Sequence, residues 1–290
     1  MYFPGALARV AILVVTIGVA ASQASAQEKR ADTADDAQPP PVESGASEEP
    51  HDAEAASAAV GGPRALIELK RQDTSRGTPS ESTKTTLKLE RYFTGPVTML
   101  RLELPFPDEK TDFGGSPFNP KLGDIKVRAR FRSLEAGAHA FSPFVEVTFP
   151  TADPESLGTG KYQLSAGIRM LSPLTLPFND PAAHKSRFEA EAQQVNSVGG
   201  DPATKNINYT KFEFTLYDIW QRTYTLKLKV KPVVDWNQGG DTGAVGEVEV
   251  GMFFARDWRT WLMLGHRLWG PSSIPSTYES RVEIGVSRTF

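Results

Sequence analysis

Two short ladders of cations carry the densest chemistry in this chain. Lys126, Arg128, Arg130 and Arg132 recur at every second position, as do Lys227, Lys229 and Lys231. Carboxylates repeat the spacing at Glu247 and Glu249, mixed charge does so at Arg101 and Glu103 and at Lys211 and Glu213, and Glu146 stands between apolar neighbours. A spacing of two puts side chains on one face of a strand, so each ladder makes a continuous charged wall. Such a wall either locks into ion pairs with a neighbouring wall or, where water enters, creates a field that favours ions of one sign.

Covalent and metal chemistry have little to work with. The chain has no cysteine, which excludes disulfides, thiolate metal sites, a thiol nucleophile and lipid attachment through cysteine. Of the histidines, His51, His139 and His184 fall in an expected tail or turns, and only His266 falls in an expected strand, beside Gly265, Arg267 and Leu268. A nucleophilic hydrolase needs a serine bonded to a histidine that an acid or amide orients. The nearest serines, Ser272 and Ser273, belong to a loop, so a barrel-embedded lipid hydrolase is only a third reading and no catalytic residue is expected. Asp108, Glu109 and Asp112 share a loop without calcium-loop spacing, and Gly158-Thr159-Gly160-Lys161 lacks that of a phosphate loop. Neither a metal nor a cofactor is expected, and cations alternating with apolar residues do not make a nucleic-acid face.

The ladders require strands, and a period of two runs from Arg64 to Phe290. Ile125, Val127, Ala129 and Phe131 interleave with the first ladder, and Tyr224, Leu226, Leu228 and Val230 with the second. Leu100, Leu102 and Leu104 alternate with Arg101 and Glu103, and Val282, Ile284 and Val286 with Arg281, Glu283 and Gly285. The pattern predicts twelve strands, near 64–71, 82–92, 97–106, 122–132, 140–149, 160–172, 186–198, 207–219, 223–236, 243–256, 259–269 and 278–290. The seventh is ambiguous. Phe188, Ala190 and Ala192 give it a thin apolar face, and its Glu, Ala and Gln residues favour helix.

Connections after odd-numbered strands are long and polar. Most of those after even ones are short, as at Phe93–Pro96, Trp220–Arg222 and Asp257–Trp258, with Pro173–Lys185 the exception. An even strand count with long loops at one end and short turns at the other matches an outer-membrane barrel. No apolar run reaches the ~18 residues of a spanning helix, while alternating strands keep mean hydropathy low, here −0.34. A closed ring also leaves no unpaired edge, as lipid demands. The expected fold is therefore all-β, an antiparallel transmembrane β-barrel of about 12 strands behind a disordered tail, with a soluble sandwich as the alternative. Trp220, Trp236, Trp258, Trp261 and Trp269 all fall near strand ends and are expected to form interfacial girdles. Phe290 ends the last strand as an aromatic barrel-assembly signal, although Arg288 interrupts its apolar face.

With apolar faces toward lipid, the lumen-lining candidates are Arg101, Glu103, Lys126, Arg128, Arg130, Glu146, Lys211, Glu213, Lys227, Lys229, Lys231, Glu247 and Glu249. Many must pair across strands, because uncompensated charge in a narrow lumen is costly. The basic ladders still bias a wet lumen toward anions. This predicts a channel for passive uptake of a small solute, with Arg128, Arg130, Lys227 and Lys229 along its path. A second reading is a non-conducting barrel whose tail docks a periplasmic partner.

Ahead of the barrel, Arg9, the apolar run Val10–Ala21 and Ala24-Ser25-Ala26 read as a signal peptide over residues 1–26. Residues 27–63 hold nine acidic residues against two basic ones, a Pro39-Pro40-Pro41 run and no aromatic, which reads as a disordered acidic tail. Residues 64–290 carry 29 basic against 26 acidic residues, although the whole chain is at −3. The expected location is the bacterial outer membrane after export through the periplasm. The expected partners are outer-membrane lipid, the barrel-assembly machinery and a small-molecule solute, with the protein a monomer.

Leu122-Gly123-Asp124-Ile125, Phe149-Pro150-Thr151-Ala152-Asp153 and Leu157-Gly158-Thr159-Gly160-Lys161-Tyr162 resemble, in order and spacing, the outer-membrane family named for the meta-cleavage pathway of phenol degradation. Leu100–Phe106 is similar to that family's early strands, so the matching motifs span residues 100–162. The resemblance implies an outer-membrane transporter associated with hydrophobic or aromatic compounds and brings no catalytic residues. Joined to the basic ladders, it points to an aromatic or weakly polar anion.

Overall fold

The computed structural model describes residues 64–75, 81–108, 118–175, 184–271 and 273–290, so the expected signal and tail lie outside the described residues. Its strands are β1 (Ala65–Thr74), β2 (Ser82–Tyr92), β3 (Val97–Pro107), β4 (Ile125–Phe131), β5 (Leu134–Ala136), β6 (His139–Phe149), β7 (Lys161–Leu174), β8 (His184–Gly200), β9 (Asn208–Trp220), β10 (Tyr224–Asp235), β11 (Asp241–Ala255), β12 (Trp258–Trp269) and β13 (Ser280–Thr289). All pairings are antiparallel and join sequence neighbours except β4 on β6 and the one that closes the ring, β1 on β13, from Leu66 opposite Thr289 to Thr74 opposite Arg281. Beyond that register Phe290 and Ala65 exchange backbone hydrogen bonds in both directions. β4 and the three-residue β5 share one edge of β6, with Arg132 and Ser133 between them, so they form one interrupted strand. The ring is a closed barrel of twelve.

The pleat sorts the side chains. Outward positions are the apolar members of each alternation, and Ile284 at 59% exposure, Leu264, Val250 and Leu69 belong to a continuous exposed apolar wall. A face of this size is not compatible with water, whereas it suits a hydrocarbon boundary. The seventh spanning segment is a strand and not a helix: β8 is paired along both edges, to β7 and β9. Its small outward alanines lie in register with aromatic neighbours, Ala190 opposite Phe214 and Ala192 opposite Phe212. Phe188 and Phe214 stack with ring centroids 6.5 Å apart, as do Phe212 and Phe214. Partner strands thus supply the apolar area that β8 lacks.

Inside, small residues make room for rings. A side chain at Gly285 would overlap the Trp261 indole and one at Gly167 would overlap Phe144. Trp261 is therefore only 5% exposed and donates from Nε1 to Glu283 Oε1 at 3.3 Å. This corrects its expected place in a girdle: it shares the inward parity of Arg259 and Met263, while Leu262 and Leu264 point outward.

At the end opposite the chain terminus, the family-like motifs form one clasp. Asp124 accepts the Thr159 backbone N–H at 2.6 Å and its hydroxyl at 2.8 Å, and Thr151 Oγ1 donates to the Gly123 carbonyl at 2.9 Å. Gly158 is packed against this aspartate so closely that a Cβ would overlap Oδ1 and approach Ala152 Cβ to 2.5 Å. Gly158→Val is expected to lower barrel stability by about 1–3 kcal/mol through overpacking, read as an earlier heat-induced shift in gel mobility. An unchanged transition would mean that the loop yields freely.

Candidate functional site

The strands enclose a central cavity of about 650 Å³. Among the described residues, sixteen lysines and arginines line it against seven carboxylates, and Glu146, Glu247, Glu249 and Glu283 reach the same cations from the wall, leaving five cations in excess. Charge reaches the cavity because every second residue of the ladders points inward, as strand geometry requires.

Most of these groups are tied in pairs fixed by register. Lys227 stands directly opposite Glu249 and Lys229 opposite Glu247 across β10 and β11. Lys227 Nζ lies 3.3 Å from Glu249, Lys229 Nζ lies 3.3 Å from Glu249 as well, and Arg259 Nη2 reaches the same carboxylate at 2.5 Å. Arg128 faces Glu146 across β4 and β6 at 2.8 Å, and also spans to Glu191 on β8 at 3.1 Å and to Gln193 at 3.2 Å. Its guanidinium sits 4.1 Å from the centroid of the Phe144 ring that Gly167 admits. Lys231 pairs with Glu247 at 2.6 Å and Glu213 at 3.6 Å, and Arg101 with Glu90 at 2.7 Å. Arg130 is buried on the same wall, and Glu103 lies opposite both Lys88 and Lys126. Lys126 and Lys211 line the cavity without a carboxylate within 4.0 Å among the described residues.

Sequence reasoning passed over several residues of this site: Glu68, Lys70, Lys84, Lys88, Glu90, Arg169, Arg187, Glu189, Glu191, Arg259, Arg281 and Glu283. The signal was present as parity. Lys70, for example, alternates with Ile67 and Leu69 exactly as far as Lys126 does with Val127, but threonines in β2 and alanines in β8 weaken the contrast.

The remaining expectations fall outside the cavity. Trp220 and Trp258 lie outward at the end that carries Phe290, where Trp220 packs on Tyr224 at 5.6 Å and Trp258 on Phe254 at 6.0 Å. Trp236 and Trp269 are exposed at the loop-bearing end, and Trp236 Nε1 donates to Thr210 at 2.8 Å. Phe290 is exposed under the Arg288 guanidinium at 4.6 Å, and that cation pairs with Asp257 at 3.0 Å, which compensates the interruption seen in the sequence. His266 is exposed among Leu264 and Leu268, with no hydrogen bond to a serine or carboxylate among the described residues. His184 and Ser186 both bond Asp218, at 2.8 and 2.6 Å, so the serine faces the acid rather than the imidazole that would activate it. Asp108 pairs with Arg71 at 2.6 Å, while Glu109 and Asp112 lie outside the described residues.

The chain matches no family profile and no curated protein. Among solved structures it is similar to the KdgM porin in complex with disordered oligogalacturonate, at 9% identity and a TM-score of 0.52 over 78% of this chain and 99% of that one. It is also similar to the COG4313 outer membrane channel from Pseudomonas putida F1, at 14% identity and a TM-score of 0.52 over 80% of this chain and 96% of that one. The NanC porin gives 9% identity and a TM-score of 0.51 over 77% and 98%. The chain thus has the closed twelve-stranded fold found in outer-membrane β-barrel porins and channels.

Proposed function

We propose that the protein is a monomeric outer-membrane channel for passive uptake of a small solute, with a preference for anions. The observation that carries this reading is the excess of five cations around the central cavity, inside a barrel whose outer wall is apolar. Fixed positive charge beside confined water concentrates anions and repels cations, with no energy source or covalent step required. The fold shared with porins and channels supports the channel role, and the likeness of residues 100–162 to the meta-pathway family supports an aromatic or weakly polar anion as the solute. On this reading the protein is not an enzyme. Lipid meets the outer wall, outward Trp220, Trp236, Trp258 and Trp269 act as girdles, and the strand ending at Phe290 is what the assembly machinery engages after export.

The test is conductance of the purified barrel in a planar bilayer. Discrete steps are expected, and replacing Arg128, Arg130, Lys227 and Lys229 by Gln brings the cations nearly level with the carboxylates, so anion conductance falls severalfold. Absence of steps from a correctly folded barrel would overturn the channel in favour of a closed structural barrel.

A further inference from the structure

Three cations cluster unpaired at one end of the lumen, apart from Arg256, which is exposed in the turn between β11 and β12 at the opposite end. Lys84 on β2, Lys126 on β4 and Lys211 on β9 line the cavity, yet none has a carboxylate within 4.0 Å among the described residues. All three stand in the first four residues from the loop-bearing end of their strands, so they occupy one mouth of the lumen. Lys126 links the three, since its charge repels both Lys84 and Lys211. The carboxylates that attract them are Glu103, Glu146, Glu191 and Glu213, all from beyond ion-pair distance. Glu146 and Glu191 are already held by Arg128 at 2.8 and 3.1 Å and Glu213 by Lys231 at 3.6 Å, which leaves Glu103 as the one of the four without an ion pair among the described residues and two positive charges in surplus.

Along β10 of the same lumen the protein neutralises its cations. Lys227, Lys229 and Lys231 lie on one strand and each has a glutamate within 4.0 Å. Three like charges kept together without such partners cost folding free energy through mutual repulsion, and a bound anion would remove that cost. Lysine suits the task, because its ammonium is a mobile, strongly hydrated point charge that adapts to a passing ligand instead of fixing it in a planar fork. We propose that Lys84, Lys126 and Lys211 form an anion subsite under the loop-bearing mouth that takes a small solute carrying two negative charges on oxygen groups. This rests on the channel reading for its route of entry, while binding itself does not require conduction. It also moves recognition away from Arg128, Lys227 and Lys229, whose charges are committed to glutamates.

The experiment is titration calorimetry of the full-length protein, folded in detergent, with succinate as the dianion and acetate as the monoanion. Succinate is expected to bind at least tenfold more tightly than acetate. The K84Q/K126Q/K211Q variant should lose that difference, and K84R/K126R/K211R should retain it, which separates lost charge from lost fold. Equal binding of succinate and acetate by the wild type, or undiminished succinate binding by the Gln variant, would overturn the subsite. Bilayer recordings on the same preparations keep the two readings apart: succinate binding without conductance steps would sink the channel and leave the subsite standing. Steps that succinate does not reduce, together with no calorimetric binding, would sink the subsite and leave the channel.

Discussion

Glu247→Ala is expected to destabilise the barrel by about 3–5 kcal/mol, because it strips the shared counter-charge from a buried cluster. The Glu247 side chain is fully buried, with Lys231 Nζ at 2.6 Å, Arg281 Nη1 at 3.4 Å and Lys229 Nζ at 4.0 Å. Tyr278 closes the cluster by donating its hydroxyl to Glu247 at 2.5 Å, and it reaches the carboxylate across the space that Gly265 leaves open. Arg281 stacks on the same tyrosine ring at 3.9 Å. β10, β13 and the β12–β13 connection therefore converge on one carboxylate of β11. Removing it leaves cations facing each other with only Glu213 and Glu249 to share, and the loss of the pair far exceeds what deletion of a solvated surface bridge would cost. Adding Lys231→Met to Glu247→Ala should restore part of the loss, since it removes the nearest orphaned charge. Urea unfolding in detergent, followed by tryptophan fluorescence, measures both. A loss below about 1 kcal/mol would mean that lumen water already screens the cluster.

The second large effect is steric. Gly285→Val is expected to prevent recovery of a heat-modifiable barrel or to destabilise it by several kcal/mol, because the valine would occupy the slot of the Trp261 indole. The ring cannot retreat cheaply: Arg259 lies 5.1 Å from its centroid and Glu283 accepts its N–H. Trp261→Val should relieve the clash, so the double variant folds better than Gly285→Val alone. Additive losses in the two single variants would show that the ring and the glycine are not coupled.

Strand positions were legible because the barrel repeats one physical rule, apolar outside and polar inside, at every step of the chain. Register was not legible, although β10 and β11 show the rule that fixes it: Lys227 and Lys229 alternate with leucines and meet Glu249 and Glu247 directly across the ladder. Two other things were not visible. Nearness to a strand end placed Trp261 in a girdle, but parity with Arg259 and Met263 decides its direction, and the space for it comes from a glycine 24 positions later on the next strand. Pairs that skip strands were equally hidden. Arg128 reaches Glu191 across β6 and β7, and Arg281 reaches Glu247 across β12, contacts set by barrel closure and by glycines rather than by local pattern. β8 was ambiguous for a related reason, since the phenylalanines that complete its outer face include two on β9.

The central claim is that an excess of fixed positive charge lines a water-filled path through the barrel, and the zero-current potential of single channels under a tenfold KCl gradient tests it most directly. The account predicts a potential of the sign set by chloride moving down its gradient, shifting toward zero when Arg128, Arg130, Lys227 and Lys229 become Gln. A potential of the opposite sign, from channels that pass potassium in preference to chloride, would contradict it.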